Sequence, residues 1–468
     1  MQVAFCAAEA FPFIKTGGLG DVCGTLPLYL EKIGIQVTIF LPFYKNIDRA
    51  KFAIERMEQG VYRTKVGKNV QVYLIENDRF FGREGVYGDP AGDYADNLER
   101  FQYYCLEVIR LLKRFDLKSD IVHCHDWHAA LIPVYLKESY ADDDFYASMK
   151  SVLTIHNLAH QGVFPRHEYH KLNLRADLFG LSGFEFFGKL NLLKTGIIYS
   201  DKITTVSKQY AKEIQTHHFG CGLDGVLRSR GDEITGIVNG IDQNLWDPMT
   251  DPLIKKKYSS SDCTKSKQEN KTHLQQTVGL PVAADVPLFG FVGRLSHQKG
   301  MDMILKILHD SQALKMQVLI LGIGEEKYHR QLNDAARHDP ERIAVCLQFG
   351  ENLAHQVYAG SDFLLMPSCF EPCGLSQMIG LRYGTIPVVY KTGGLADTVS
   401  PFDGQKGNGF VFEDYTKKAL IETMQEAVGV FHIPDQFRRL RDNAFDSDFS
   451  WDKSVKEYRK VYQCLLSA

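Results

Sequence analysis

The sequence lacks the patterns that mark membrane, secreted and nucleic-acid-binding proteins. No stretch approaches 18 uninterrupted apolar residues, so we expect no membrane span. The opening run MQVAFCAAEAFPF has no charged region before it and is interpreted as a first buried strand, not a signal peptide. No Lys/Arg block stands out, and 54 basic against 57 acidic residues give a net charge of −3. This balance argues against a nucleic acid or a membrane surface as partner.

The sequence also lacks paired cysteines and a complete dinucleotide fingerprint. Its ten cysteines form no C-x-x-C pair and lie mostly in apolar runs, which indicates buried free thiols in the cytoplasm. The fingerprint G-x-G-x-x-G has Cys23 where the third glycine belongs after Gly18 and Gly20, and Gly322-Ile-Gly324 is followed by Lys327. A nicotinamide-dependent oxidoreductase, the usual rival for such folds, is therefore disfavoured.

Strand-like and helix-like segments alternate along the 468 residues, which suit two domains of roughly 200 residues each. Runs such as QVTIFLP, VQVYLI, SVLTIH, QVLILG, DFLLMP and IPVVY predict buried parallel strands with crossover helices, an α/β fold. A Pro- and Asp-rich segment at 242–254 marks the boundary. We predict a first domain over 1–242, a second over 243–449, and a terminal helix over 450–468 that packs back onto the first.

The pattern KTGGLxD occurs twice, at Lys15–Asp21 and at Lys391–Asp397, each time between a predicted strand and a predicted helix. A Gly-Gly turn at such a place bares backbone N–H groups that suit a phosphate or a sugar hydroxyl. A purely conformational role of the glycines is the alternative.

Two charged clusters follow predicted strands of the second half. GRLSHQKGMD carries Arg294 and Lys299, two cations that can neutralise a pyrophosphate, and a solvated basic loop is the alternative. SCFEPCGLSQ carries Glu371, whose carboxylate can accept hydrogen bonds from sugar hydroxyls, although it can also be an ordinary loop residue. The carboxyl edge of a parallel sheet is where such folds bind ligands.

Several histidines lie close together in the first half of the sequence, as in many metal sites, but we do not predict a metal site here. In HCHDWH we take His123 and His125 to point to opposite faces of their strand, a poor geometry for shared ligation. Asp126 and Trp127 suit sugar recognition better, as an aromatic face beside a carboxylate. His156 ends the strand SVLTIH and can contact a sugar hydroxyl, or it can be a buried structural histidine.

Together these clusters resemble a known family. KTGGLGDV, HDWHAAL, TIHNLAHQG, GIVNGID, GRLSHQKGMD, FEPCGLSQMIGLRYG and KTGGLADTV occur in the order seen in bacterial glycogen synthases and plant starch synthases. The resemblance implies the GT-B fold, two Rossmann-like domains facing across a deep cleft. It also implies retaining transfer of glucose from ADP-glucose to the nonreducing-end 4-OH of an α-1,4-glucan, without metal or cofactor. UDP-glucose as donor, another GT-B glucosyltransferase and a silent glucan-binding protein are the alternatives.

The resemblance also implies roles for individual residues. The predicted catalytic residues are His156 at the transferred glucose, Glu371 at its hydroxyls, and Arg294 and Lys299 at the diphosphate. The predicted donor-binding residues are Lys15, Gly17, Gly18, Asn239, Cys373, Gly374, Leu375, Thr392, Gly393 and Gly394. The predicted sugar and acceptor side comprises Asp21, Asp126 and Trp127. Lys391 is interpreted as a surface residue.

Overall fold

Two units are present in the computed structural model, which describes residues 1–89, 92–310, 314–348 and 350–467. The first unit comprises residues 1–239 and 451–468, and the second comprises residues 240–450. The domain boundary predicted from the sequence, between residues 242 and 243, lies three residues after the boundary between the two units.

The first unit is built on a nine-stranded sheet in the order β14-β13-β9-β8-β1-β2-β5-β4-β3. All pairs are parallel except those that β4 makes with β3 and β5. The strands of this sheet are β1 (Gln2–Cys6), β2 (Gln36–Pro42), β3 (Glu55–Glu58), β4 (Val61–Val66), β5 (Val70–Ile75), β8 (Ile121–His125), β9 (Lys150–Ile155), β13 (Lys202–Thr205) and β14 (Ile234–Gly236). Since β1, β8 and β9 are neighbours, the loops that follow them leave the same edge of the sheet.

Helices connect these strands, and two small antiparallel sheets lie in the connections. The helices are α1 (Gly18–Lys32), α2 (Asp78–Phe81), α3 (Asn97–Arg114), α4 (Asp126–Ala129), α5 (Leu131–Glu138), α6 (Leu192–Tyr199), α7 (Lys208–Glu213) and α8 (Asp224–Ser229). The small sheets contain β6 (Gly88–Asp89), β7 (Gly92–Asp93), β10 (Val163–Pro165), β11 (Glu185–Phe186) and β12 (Lys189–Asn191).

The second unit is built on a six-stranded parallel sheet in the order β17-β16-β15-β18-β19-β20. Its strands are β15 (Leu288–Val292), β16 (Gln317–Leu321), β17 (Ile343–Cys346), β18 (Phe363–Met366), β19 (Ile386–Tyr390) and β20 (Phe410–Phe412). Its helices are α9 (Cys263–Val278), α10 (Met301–Asp310), α11 (Glu326–His338), α12 (Glu351–Gly360), α13 (Ser376–Arg382), α14 (Gly393–Thr398), α15 (Lys417–Phe431) and α16 (Pro434–Phe445).

Helices cover both faces of this second sheet, so its strands are apolar along almost their whole length. In β16, Val318 and Ile320 belong to one apolar core, whereas Leu319 and Leu321 belong to the core on the opposite face. Continuous apolar runs of this kind are typical of parallel strands buried on both sides.

The last helix, α17 (Trp451–Ser467), belongs to the first unit although the whole second unit precedes it in the chain. Tyr462 Oη lies 2.7 Å from His123 Nδ1 of β8, and Ser454 Oγ donates to the carbonyl oxygen of Val238 at 2.6 Å. Within the described ranges, no helix has both the length and the apolar character that crossing a membrane requires.

Candidate active site

The first KTGGLxD loop connects β1 to α1. A buried carboxylate, that of Glu9, accepts hydrogen bonds from this loop. Glu9 is 2% exposed. Its oxygens accept hydrogen bonds from Thr16 N at 2.5 Å, Thr16 Oγ1 at 2.7 Å and Gly17 N at 3.3 Å. Tyr87 Oη donates a further bond at 2.5 Å. Hydrogen bonds to a charged carboxylate are stronger than neutral ones, so Glu9 fixes the backbone of the loop.

The outer side of this loop carries a cation and open space. Lys15 Nζ lies 2.6 Å from Asp21 Oδ1, and the Lys15 side chain remains 42% exposed. A Cβ atom added at Gly17 or Gly18 would meet nothing within 4 Å. Of the three residues predicted to bind donor phosphate here, Gly17 directs its N–H to Glu9, whereas Lys15 and the start of α1 at Gly18 border unfilled space. Asp21, predicted on the sugar side, is the ion-pair partner of Lys15.

His156, at the end of β9, joins the two neighbouring motifs predicted to contact sugar. Its Nε2 lies 2.9 Å from His125 Nδ1, and its backbone N–H donates to Asp126 Oδ1 at 2.7 Å. Burial lowers the pKa of His156 to about 3, so its imidazole is neutral near neutral pH. Burial raises the pKa of Asp126 to about 7, against the opposing effect of the His156 and Asn157 backbone N–H groups. The His156 imidazole therefore carries no charge near neutral pH, whereas the Asp126 carboxyl titrates there.

The predicted orientation of His123 and His125 was wrong. Their ring centroids are only 4.2 Å apart, because residues two apart in a strand point to the same face of the sheet. His123 is engaged elsewhere, since its ring nitrogens bond Tyr462 Oη at 2.7 Å and Thr154 Oγ1 at 2.6 Å. Among the residues that the structure describes, the ligand atoms of Cys23, His125 and His156 are the group close enough together to hold a metal ion.

Trp127 is packed into the unit and offers little surface. Its exposed fraction is 8%, and that of the neighbouring Asp126 is 5%. The indole makes ring contacts with Phe101 and Phe164 at centroid distances of 4.9 and 5.9 Å. A Cβ atom on Gly162, whose φ is +62°, would lie 2.5 Å from Trp127 Cε3. The open aromatic face expected from the sequence is thus a mostly enclosed ring, while the sugar contact itself stays a prediction.

Asn239 is the last residue of the first unit before the chain enters the second. Its side chain is buried, at 5% exposure, and among the described residues its Oδ1 has no hydrogen-bond partner. A buried amide oxygen without a partner is rare in proteins and is available to a ligand donor.

In the second unit the structure brings together two residues predicted to be catalytic. Lys299 Nζ lies 2.6 Å from Glu371 Oε2, and Ser368 Oγ donates to the same oxygen at 2.9 Å. The Glu371 side chain is 6% exposed and the Lys299 side chain 21% exposed. Lys299 comes just before α10 and Glu371 follows β18, so both lie at the carboxyl edge of the sheet.

Close backbone packing explains why these two loops meet. Gly300 has a φ of +75°, and a Cβ atom there would lie 2.1 Å from the carbonyl oxygen of Pro367. Cys369 N donates to Gln298 O at 3.0 Å, which ties the Lys299 loop to the Glu371 loop. Arg294, the second predicted cation, is exposed and forms no ion pair with the residues described here.

The second KTGGLxD loop packs on the same Glu371 segment. A Cβ atom would lie 2.0 Å from Glu371 O if added at Gly393, and 2.0 Å from Cys373 O if added at Gly394. Gly394 N donates to Glu371 O at 3.0 Å. Thr392 is fully buried, whereas Lys391 pairs with Glu413 at 2.6 Å on the surface. Gly374, between Cys373 and Leu375, has a φ of +75° and precedes α13.

Sequence reasoning missed Glu9, Tyr87, Ser368 and Cys23. Glu9 gave a signal, since it is a single acidic residue inside the apolar run VAFCAAEAF. Burying a charge requires partners, so an isolated carboxylate at a predicted strand end indicates a built hydrogen-bond site. Tyr87 lies 78 positions from Glu9, and no local pattern links them.

Comparison with known proteins shows the family to which the chain belongs. The family described as starch synthase catalytic domain matches residues 2–229, and that described as glycosyl transferases group 1 matches residues 277–441. Glycogen synthase of Geotalea uraniireducens (strain Rf4) is 43% identical over 483 aligned residues, with 100% of this chain and 99% of that protein covered. Glycogen synthase of Thermotoga maritima is 41% identical over 488 residues, with the same coverage. The chain belongs to the glycogen and starch synthase family.

Solved structures agree with this family. The catalytic domain of starch synthase IV from Arabidopsis thaliana, bound to ADP and acarbose, superimposes with a TM-score of 0.91 at 31% identity, covering 100% of this chain and 99% of that one. Sucrose-phosphate synthase from Thermosynechococcus elongatus, at 14% identity and a TM-score of 0.62, shares the fold alone. The predicted GT-B fold class is confirmed, and as a member of the glycogen and starch synthase family the chain is a glycosyltransferase.

Proposed function

We propose that the protein transfers glucose from ADP-glucose to the nonreducing-end 4-OH of an α-1,4-glucan, with retention of configuration and release of ADP. The observation that carries this proposal is the Lys299–Glu371 pair at 2.6 Å, in a chain that is related over its full length to glycogen synthases. A cation for a leaving diphosphate and a carboxylate for sugar hydroxyls lie side by side, as nucleotide-sugar transfer requires.

The leaving group departs as a diphosphate, and its developing negative charge needs donors fixed in advance. In this proposal Arg294 and Lys299 supply two positive charges, and Lys15 supplies a third. Arg294 is exposed, and the Lys15 side chain is 42% exposed, so both cations are accessible to a ligand. We propose that these side chains stabilise the leaving group, so that the transfer needs no metal ion or cofactor.

The transferred glucose is bound by hydrogen bonds and not by a nucleophile. Glu371 accepts from its hydroxyls, and the neutral imidazole of His156, with a pKa lowered to about 3 by burial, contacts it without adding charge. We propose same-face substitution, in which the anomeric C–O bond to the diphosphate breaks as the bond to the acceptor 4-oxygen forms. The leaving phosphate oxygen takes the acceptor proton. Trapping a covalent glucosyl-enzyme on a carboxylate would contradict this route.

ADP-glucose is favoured over UDP-glucose because the starch synthase IV structure contains ADP, and its superposition on this protein covers nearly the full length of both chains. The test measures labelled glucose incorporation into glycogen from ADP-glucose and UDP-glucose in parallel, followed by the anomeric configuration of the new linkages. Faster incorporation from ADP-glucose as α-1,4 linkages is the expected result. Faster incorporation from UDP-glucose would overturn the donor assignment, and β linkages would overturn retention.

A further inference from the structure

A buried group of three side chains in the first unit offers the ligand set of a zinc site. Cys23 lies in α1, which follows β1. His125 ends β8 and His156 follows β9, and β1, β8 and β9 are neighbours in the sheet. Their ligand atoms all lie within 4.8 Å of one another. The exposed fractions are 0% for Cys23 and His125 and 8% for His156.

The chemistry of this group selects a soft or borderline divalent cation. One thiolate and two imidazoles are ligands that Zn²⁺ prefers, whereas Mg²⁺ and Ca²⁺ prefer oxygen. In a tetrahedral zinc site the ligand atoms are separated by about 3.3 to 3.6 Å, given Zn–N bonds of about 2.0 to 2.1 Å and Zn–S bonds of about 2.3 Å. Since the ligand atoms already lie within 4.8 Å of one another, side-chain shifts of about 1 Å bring them to that spacing.

A second observation points to a ligand at the same place. The Nε2 atom of His125 is buried and has no hydrogen-bond partner within the part of the chain that the structure describes. The other ring nitrogen, Nδ1, lies 2.9 Å from His156 Nε2, so the two imidazoles are already in hydrogen-bond contact. An unpartnered buried nitrogen beside a second imidazole and a thiol is poised for a cation.

We propose that Cys23, His125 and His156 bind Zn²⁺, and that the bound ion inhibits glucosyl transfer. On binding, the Cys23 thiol releases its proton to solvent, both imidazoles bind as neutral rings, and a water completes the fourth position. The inhibition, unlike the binding, rests on the proposed function, because it requires His156 to contact the transferred glucose. Coordination fixes the position of the His156 ring, so that its remaining nitrogen no longer adjusts to the glucose.

Direct binding is tested with Co²⁺ as a spectroscopic substitute for Zn²⁺ on the full chain. Cys221 and Cys464, the two exposed cysteines, are first replaced by serine so that surface thiols do not contribute. One equivalent of Co²⁺ is expected to give a thiolate-to-cobalt charge-transfer band that Zn²⁺ abolishes. Cys23→Ala is expected to lose the band and at least about 100-fold in Zn²⁺ affinity, since even outer-shell partners of metal ligands contribute 10- to 100-fold.

Two further variants exclude trivial explanations. Cys23→Ser keeps the side-chain volume and is expected to lose the same band. Cys105→Ala removes another buried thiol, whose Sγ lies 3.3 Å from His128 O, and is expected to keep it. Absence of the band in the parent, or its persistence in both Cys23 variants, would overturn the site.

Inhibition is measured separately as glucose transfer with added Zn²⁺. The parent is expected to be inhibited and to recover with a chelator, whereas Cys23→Ala keeps its basal rate and resists Zn²⁺. A cobalt band without zinc inhibition would leave the site in place and overturn its inhibitory role. Absence of transfer under every condition would contradict the proposed function and leave the binding result unaffected.

Discussion

The same heptapeptide pattern, KTGGLxD, is supported in opposite ways in the two units. In the first, open space lies over Gly17 and Gly18, and a side chain, Glu9, holds the loop. In the second, Gly393 and Gly394 press directly on the backbone of the Glu371 segment. The pattern specifies a tight strand-to-helix turn, and what packs against that turn decides whether its glycines leave room for a ligand or allow two backbones to touch.

The largest expected effect comes from Gly393→Ala. Its Cβ atom would lie 2.0 Å from Glu371 O at a φ of +42°, so we expect destabilisation by about 3 kcal/mol or more and loss of most activity. Gly17→Ala, the matched change in the first loop, is expected to alter stability by no more than about 0.5 kcal/mol. Denaturant unfolding followed by circular dichroism measures both. Equal losses in the two variants would remove the contrast between the loops.

The next effect concerns the cations that the second unit presents. Lys299→Ala and Arg294→Ala are each expected to lower kcat by about 10² to 10³, because each removes a charge that stabilises the leaving diphosphate. The unfolding midpoint of Arg294→Ala should stay near that of the parent, because Arg294 is exposed. Lys299→Ala also leaves the buried Glu371 carboxylate without its cation, so its midpoint is measured beside its turnover. Near-normal turnover in both variants would refute the assignment of these residues to the diphosphate.

The two lysines of the repeated pattern give a direct comparison. Lys15→Ala is expected to lower kcat/KM for the donor by about 10², as the loss of one fixed cation. Lys391→Ala should change it less than about twofold, because Lys391 pairs with Glu413 at the surface and such pairs contribute little. If the two substitutions had similar effects, the copies would be equivalent in function.

The smallest expected effect on activity comes from Glu9, whose carboxylate holds the first KTGGLxD loop. Glu9→Gln weakens four charge-assisted hydrogen bonds, so we expect a loss of about 1 to 3 kcal/mol in unfolding free energy. A looser loop should lower kcat/KM by about tenfold, the equivalent of about 1.4 kcal/mol. Tyr87→Phe removes one of the four bonds and serves as the milder variant. A larger effect of Tyr87→Phe than of Glu9→Gln would show that Glu9 is not the support.

The strands of both sheets could be predicted where burial on two faces makes the sequence continuously apolar. QVTIFLP and IPVVY coincide with β2 and β19. Helix α9 could not be predicted from an apolar pattern, because its sequence is polar. Its Lys267 is nevertheless buried, donates to the carbonyl oxygens of Ala359 and Tyr383 and to Thr385 Oγ1, and has a pKa that burial lowers to about 7. Partners so distant in sequence leave no periodic signal.

The candidate site was predictable in its residue types but not in its pairings. Arg294, Lys299 and Glu371 follow apolar strands, and the carboxyl edge of a parallel sheet is a general place for ligands. That Lys299 contacts Glu371, 72 positions away, depends on the approach of two loops at Gly300, which no local pattern encodes. Strand geometry places His123 and His125 on the same face of the sheet, so the prediction of opposite faces was wrong although the sequence allowed the correct one.

The position of α17 has a consequence for synthesis on the ribosome. The second unit is complete in sequence by residue 450, but the first unit receives its last helix only from residues 451–468. At about 5 to 20 residues per second, translation of the intervening unit takes about 10 to 40 seconds. During that interval His123 lacks the hydroxyl of Tyr462, its partner in the finished fold. The nascent first unit therefore stays incomplete until residues 451–468 have been synthesised.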